Sequence, residues 1–152
     1  MEKISELLRE DLVILNLKSN DKTKIIEQLV DTVARVENIK DKSALLKAIL
    51  EREELESTGI GMGVAIPHCR TDVTDKIIVA FGRSIPGADF KSLDGKPTHL
   101  VFLIIAPEAE KDKYIKVLAR ISSLVRRDEF RTALMKAMTR GEVINLFAER
   151  EK

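Results

Sequence analysis

Cysteine occurs once in the 152 residues, at Cys69, which excludes an internal disulfide and any multi-cysteine zinc or iron–sulfur site. Tryptophan is absent, tyrosine occurs once and phenylalanine five times, so a platform for stacking single-stranded bases is poorly supplied. Charge of one sign is missing too. The 26 Lys and Arg against 25 Asp and Glu leave a formal +1, and no basic field is offered to a nucleic acid or an anionic membrane. The longest apolar run, Leu100 to Ala106, falls well short of the ~20 residues that a membrane-crossing helix needs. The opening Met1-Glu2-Lys3 has no apolar signal segment, so a cytoplasmic location without direct membrane insertion is expected. What is abundant is apolar (44%) and charged (34%) residues, enough for one ordinary core and a single domain over residues 1–152.

Hydrophobic period types the segments along the chain. After a short amphipathic start (Ile4, Leu7, Leu8), the branched run Leu12 to Leu15 reads as a strand. Asn20 and Asp21 are cap residues for a helix whose apolar face is Ile25, Ile26, Leu29, Val30, Val33 and Val36. A second helix follows Asp41 or Ser43, with Leu45, Ala48 and Ile49 inward. Val64-Ala65-Ile66 is a short strand that Pro67, lacking an N–H, is expected to stop. Ile77 to Phe81 and Leu100 to Ala106 are further strands, the second apolar at odd and even positions alike, as in a strand covered on both faces. A turn-rich loop with Pro86-Gly87 and Asp94-Gly95 is expected between them. Helical period returns with Tyr114, Val117, Leu118, Ile121, Leu124 and Val125. Two shorter helices follow, one with Phe130, Leu134 and Met138, the other with Val143, Ile144 and Phe147, and Gly141 is expected to separate them. The order predicts an α/β fold: a single-domain mixed sheet flanked by helices on both faces.

The run Thr58-Gly59-Ile60-Gly61-Met62-Gly63 follows a helix and lacks the lysine of a P-loop, and a dinucleotide fingerprint would need a glycine at Val64 or Ile66. Two readings stand, a plain connecting loop and a turn whose bare backbone N–H groups meet an anion. His68 follows Pro67, which fixes the backbone before it. Its imidazole, with an ordinary pKa of ~6.5, suits a base, a metal ligand or a nucleophile, or simply a hydrogen bond within a loop. Cys69 reads as a free structural thiol, His99 as structural, and a metal site from His68, Cys69 and Asp72 lacks a fourth ligand and any standard spacing. Arg52 near the end of the second helix is either a solvated helix charge or a planar fork for a phosphoryl group on His68.

The passage Arg52-Glu53, then Ser57-Thr58-Gly59-Ile60-Gly61-Met62-Gly63-Val64-Ala65-Ile66-Pro67-His68, resembles the active-site signature of the IIA components of the sugar phosphotransferase system. The likeness is to the fructose/mannitol type, including its nitrogen-regulatory branch, and it continues through Asp94-Gly95-Lys96-Pro97, His99 to Leu103 and Ala106-Pro107 over essentially the whole chain. It implies a freestanding IIA-type phosphotransferase domain with a phosphohistidine intermediate. His68 would accept the phosphoryl group from the histidine-containing phosphocarrier protein and pass it to a IIB domain for sugar uptake. Arg52 would stabilise the group beside a phosphoryl-binding loop of Ser57, Thr58, Gly59, Ile60, Gly61 and Gly63, and neither metal nor other cofactor is required. Relatives commonly carry a second histidine where this chain has Tyr114, which can donate one hydrogen bond but cannot become cationic. The alternative implied by the resemblance is a nitrogen-type module whose phosphorylation on His68 controls binding to a regulatory target protein.

Overall fold

The computed structural model describes residues 3–152; residues 1 and 2, the start of the expected domain, lie outside the described residues. The described helices are α1 (Ile4–Leu7), α2 (Lys22–Val36), α3 (Lys42–Leu55), α4 (Lys111–Val125), α5 (Asp128–Lys136) and α6 (Arg140–Arg150). The described strands are β1 (Val13–Ile14), β2 (Gly59–Gly61), β3 (Val64–Ala65), β4 (His68–Arg70), β5 (Ile78–Ala88) and β6 (Thr98–Ala106). They form one mixed sheet in the order β1-β5-β6-β3-β2, with β4 also on β6.

The sheet is built around β6, which is buried from Leu100 through Ala106. Each large apolar side chain there gains ~1.5–3 kcal/mol by leaving water, so both faces must be covered, and helices cover both. β5 pairs antiparallel on one edge of β6 with Phe81 opposite Phe102, and β1 adds in parallel beyond it. Phe102 packs at 4.8 Å on Phe81 and at 5.8 Å on Phe147, which meets Phe130 at 5.0 Å, so one chain of rings joins the sheet to α5 and α6. Asp21 caps α2 through the Lys24 N–H and Asp41 caps α3 through the Ala44 N–H, both at 3.0 Å.

Four boundaries differ from expectation. The strand does break before Pro67, with β3 ending at Ala65, but it resumes beyond it: Val64 lies opposite Leu100 and His68 opposite Ile104, so β3 and β4 keep one parallel register along β6. The Pro67 carbonyl still accepts the Ile104 N–H at 3.0 Å, and only the bond that Pro67 cannot donate is lost. The run 59–63 is a hairpin, with β2 and β3 joined through Gly61, Met62 and Gly63 at φ values of 88°, 59° and 77°. β5 continues past the expected loop start to Ala88, its register shifting between Arg83 and Ala88 around Gly87. Finally, α5 stops at Lys136, leaving Met138 exposed, and Gly141 lies inside the first turn of α6, which Thr139 caps by accepting the Glu142 N–H at 3.1 Å.

Candidate functional site

β4 delivers His68 and Arg70, two residues apart on a strand, to the same side of the sheet. The last turns of α3 add Arg52 and Leu55, the first turns of α4 add Tyr114, and Glu108 comes from the turn after β6. Together they line an open cleft of about 700 Å³.

The half-buried His68 ring points Nδ1 at the Ile66 carbonyl. A carbonyl only accepts, so Nδ1 carries the proton and Nε2 keeps its lone pair. Burial holds the imidazole below its ordinary pKa of 6.5, the Arg52 guanidinium adds to that, and the Ile66 carbonyl and Glu53 oppose it. Near neutral pH the ring is therefore uncharged, with a lone pair on Nε2. Tyr114 stands beside it, ring centroids 5.9 Å apart at 50°. Burial pushes its hydroxyl up to about 12, with Cys69 adding and Arg52 and Arg70 opposing, so it remains a donor. The Cys69 thiol is also pushed up to about 12, first by burial and then by Glu108, which makes it inert near neutral pH. Arg52 commits one of its N–H donors to the Glu56 carbonyl at 3.0 Å, which steadies the guanidinium at the end of α3.

Next to Arg52 on α3 is Glu53, whose carboxylate is buried. It accepts the Thr58 N–H at 3.0 and 3.1 Å and the Thr58 hydroxyl at 2.8 Å, and it pairs with Lys22 Nζ at 3.0 Å. Thr58 and Ile66 face each other across the hairpin, and the Ile66 N–H donates to the Thr58 carbonyl at 3.0 Å. In a regular antiparallel pair Thr58 N–H would return a bond to the Ile66 carbonyl. Glu53 has taken that N–H, which leaves the Ile66 carbonyl to His68.

The structure thus brings together His68, Arg52 and Tyr114. It does not bring Ser57, Thr58, Gly59, Ile60, Gly61 or Gly63 to the walls of this cleft. Several donors of that run are used internally: Thr58 on Glu53, Ser57 hydroxyl on the Phe90 carbonyl, Gly59 N–H on Ser57 Oγ at 3.1 Å and Met62 N–H on Asp94 at 3.0 Å. Gly59 is required sterically, since a Cβ there would lie 2.3 Å from Ser92 Oγ. The run expected to bind the phosphoryl group is a hairpin, linked to Glu53 through Thr58 and to Ile66 through the Thr58 carbonyl. Sequence reasoning missed Glu53 as the organiser, because a glutamate at a helix end looks solvated. It missed Arg70 because the strand was expected to end at Pro67; the His-x-Arg alternation was the available signal. His99 donates its Nδ1–H to the Ser84 carbonyl at 3.0 Å, away from the cleft. Among the described residues no group of three or more His, Cys, Asp and Glu side chains could hold a metal ion, and no helix is long and apolar enough to cross a membrane.

Comparison with known proteins connects this geometry to a family. The chain is 39% identical over 150 residues to the fructose-specific EIIABC component of the phosphotransferase system from Bacillus subtilis, a match covering 99% of this chain and 24% of that much longer relative. It is 35% identical over 146 residues to the fructose-specific EIIA component from Haloferax volcanii, covering 96% of this chain and 95% of that protein. The crystal structure of the nitrogen regulatory protein IIA-Ntr from Neisseria meningitidis superposes with a TM-score of 0.89 at 28% identity, covering 95% of this chain and 98% of that one. Residues 6–150 match the model of the phosphoenolpyruvate-dependent sugar phosphotransferase system, EIIA 2, and the chain belongs to that family.

Proposed function

We propose that the chain is a phosphocarrier whose His68 takes a phosphoryl group from the histidine-containing phosphocarrier protein and yields it to a IIB domain in fructose-type sugar uptake. The observation that carries this reading is the neutral His68 ring, which lines the cleft with Arg52 and whose Nδ1–H is held by the Ile66 carbonyl, so that Nε2 is the nitrogen with a lone pair. The Nε2 lone pair attacks phosphorus, a new N–P bond forms, and the N–P bond of the donor's phosphohistidine breaks. The Nδ1 proton stays where it is, and the Ile66 carbonyl stabilises the positive charge that the ring acquires. Arg52 spreads the charge of the equatorial oxygens, and the Tyr114 hydroxyl contributes a neutral hydrogen bond where relatives carry an imidazole. Such chemistry needs positioned donors and an in-line approach; no metal or nucleotide enters it. The proposed site of action is the cytoplasm.

The test is the intact mass of the protein after incubation with phosphoenolpyruvate, enzyme I and the phosphocarrier protein. Gain of one acid-labile phosphoryl group by the natural chain and none by His68→Ala supports the reading; equal gain by the variant refutes it. The similarity to the nitrogen regulatory protein over nearly its whole length favours a second reading, in which the same phosphoryl group switches binding to a target protein. Target binding that is indifferent to phosphorylation would remove that reading and leave transport.

A further inference from the structure

We infer that Arg70 is a second cation for the phosphoryl group on His68, and that Glu108 is the anion from which the phosphoryl oxygens draw it. The inference rests on the phosphocarrier reading above. Arg70 follows His68 by two positions on β4, about 6.6 Å along the strand, a span its own long side chain can fold back across. Both side chains line the cleft, and Arg52 enters it from α3. Both guanidiniums act to lower the pKa of the Tyr114 hydroxyl, whose ring stands beside the imidazole, while the imidazole itself is acted on by Arg52.

The present partners of Arg70 are weak. Its Nη1 donates to the Glu108 carbonyl at 3.3 Å and lies 3.7 Å from Glu108 Oε2, both longer than a charge-assisted hydrogen bond of about 2.7–2.9 Å. Glu108 is exposed, and its backbone N–H is fixed separately, by Asp72 Oδ1 at 3.0 Å. Its carboxylate can therefore leave Arg70 without moving the turn. A phosphoryl group carries about −1.5 to −2 charge at neutral pH, more than one guanidinium can match. Arg52 leaves a deficit that Arg70, the other arginine in the cleft, is placed to fill.

The experiment measures the equilibrium distribution of a limiting amount of phosphoryl group between the phosphocarrier protein and the full chain, by intact mass. An equilibrium constant is indifferent to how well the two proteins dock during transfer. We expect Arg70→Gln to lower the constant by about three- to tenfold, the range for losing a half-exposed charged contact, and Arg70→Lys to restore part of it. Glu108→Gln should raise the constant by releasing Arg70, and that gain should vanish in the Arg70→Gln background. Both effects should shrink in 1 M salt. An unchanged constant in Arg70→Gln, with the natural chain phosphorylated normally, overturns this inference alone. Failure of the natural chain to accept any phosphoryl group overturns the carrier reading and this inference with it. Should Arg70→Gln lose its folded circular-dichroism spectrum, Glu108→Gln decides: a raised constant supports the inference and an unchanged one overturns it.

Discussion

Replacing Glu53 tests both the packing around Thr58 and the orientation of the His68 ring. Glu53 is 6% exposed, and its carboxylate takes the N–H and hydroxyl of Thr58, itself 4% exposed, along with the ammonium group of Lys22. In Glu53→Ala the hydroxyl loses its acceptor, and a buried polar group left unpaired costs about 1–3 kcal/mol. The cavity left by the removed side chain adds to this, and Lys22, partly exposed, turns to water at little further cost. The Thr58 N–H has an alternative in the Ile66 carbonyl across the hairpin, so its own loss is partly recovered. The sum is about 2–4 kcal/mol, a large part of the ~5–15 kcal/mol that holds a domain together. Urea unfolding followed by circular dichroism should show the midpoint fall at unchanged slope. Glu53→Gln keeps the shape and one acceptor oxygen and should lose about half as much. The recovered Thr58 bond also competes with His68 for the Ile66 carbonyl. Imidazole 15N spectra should therefore show the Nδ1–H tautomer, dominant in the natural chain, mixing with Nε2–H in Glu53→Ala. A stability change below about 0.5 kcal/mol together with an unaltered tautomer would refute the account of Glu53 as organiser.

Tyr114 is the only tyrosine and there is no tryptophan, so the phenolate absorbance reports this residue alone; the transition should lie near pH 12, and one near 10 would mean the hydroxyl is not buried as described. The Cys69 thiol, also raised to about 12, should resist iodoacetamide at pH 8 until urea unfolds the chain, whereas rapid alkylation of the folded protein would contradict its burial. The folded-state pKa of His68 lies below 6.5, so the unfolded chain binds the extra proton first as the medium turns acid. Stability is accordingly whole above pH 6.5 and is lost as the pH falls through the lowered folded value; His68→Gln should flatten that limb of a urea-midpoint profile, and an identical profile would show the ring is not desolvated.

Much of the fold was legible because burial writes itself as period. The unbroken apolar run of β6 announced a strand covered on both sides, and Asp21 with Ile25, Ile26, Leu29 and Val30 announced α2 and its cap. Elements held by backbone geometry left weaker traces. β2 is two glycines around an exposed isoleucine, with no apolar alternation to reveal it, and β5 runs through Pro86-Gly87 because an exposed, shifted stretch of ladder tolerates both. The arginine and histidine of the site could be singled out from residue chemistry, and Tyr114 only through resemblance. Glu53 and Arg70 needed the register.

Pro67 explains why the register matters so much. A proline inside a parallel strand deletes one ladder bond, and in sequence this is indistinguishable from a strand end. Here the same residue pairing resumes beyond it, so the deletion is a gap of one bond in an otherwise continuous edge. On the opposite side of that edge, Glu53 removes the Thr58 N–H from the Ile66 carbonyl. Two adjacent residues are thereby released from full sheet pairing just before His68, one by a missing donor and one by a diverted donor. The consequence is a strand whose Ile66 carbonyl, unused by the sheet, accepts from the imidazole two residues on and orients the ring. A residue of ordinary size with an N–H at position 67 could close the first gap but would leave the second, so Pro67→Ala should preserve the His68 tautomer, whereas Glu53→Ala should not. If the two substitutions disturbed the 15N spectrum equally, strand interruption rather than the diverted Thr58 bond would be what orients His68.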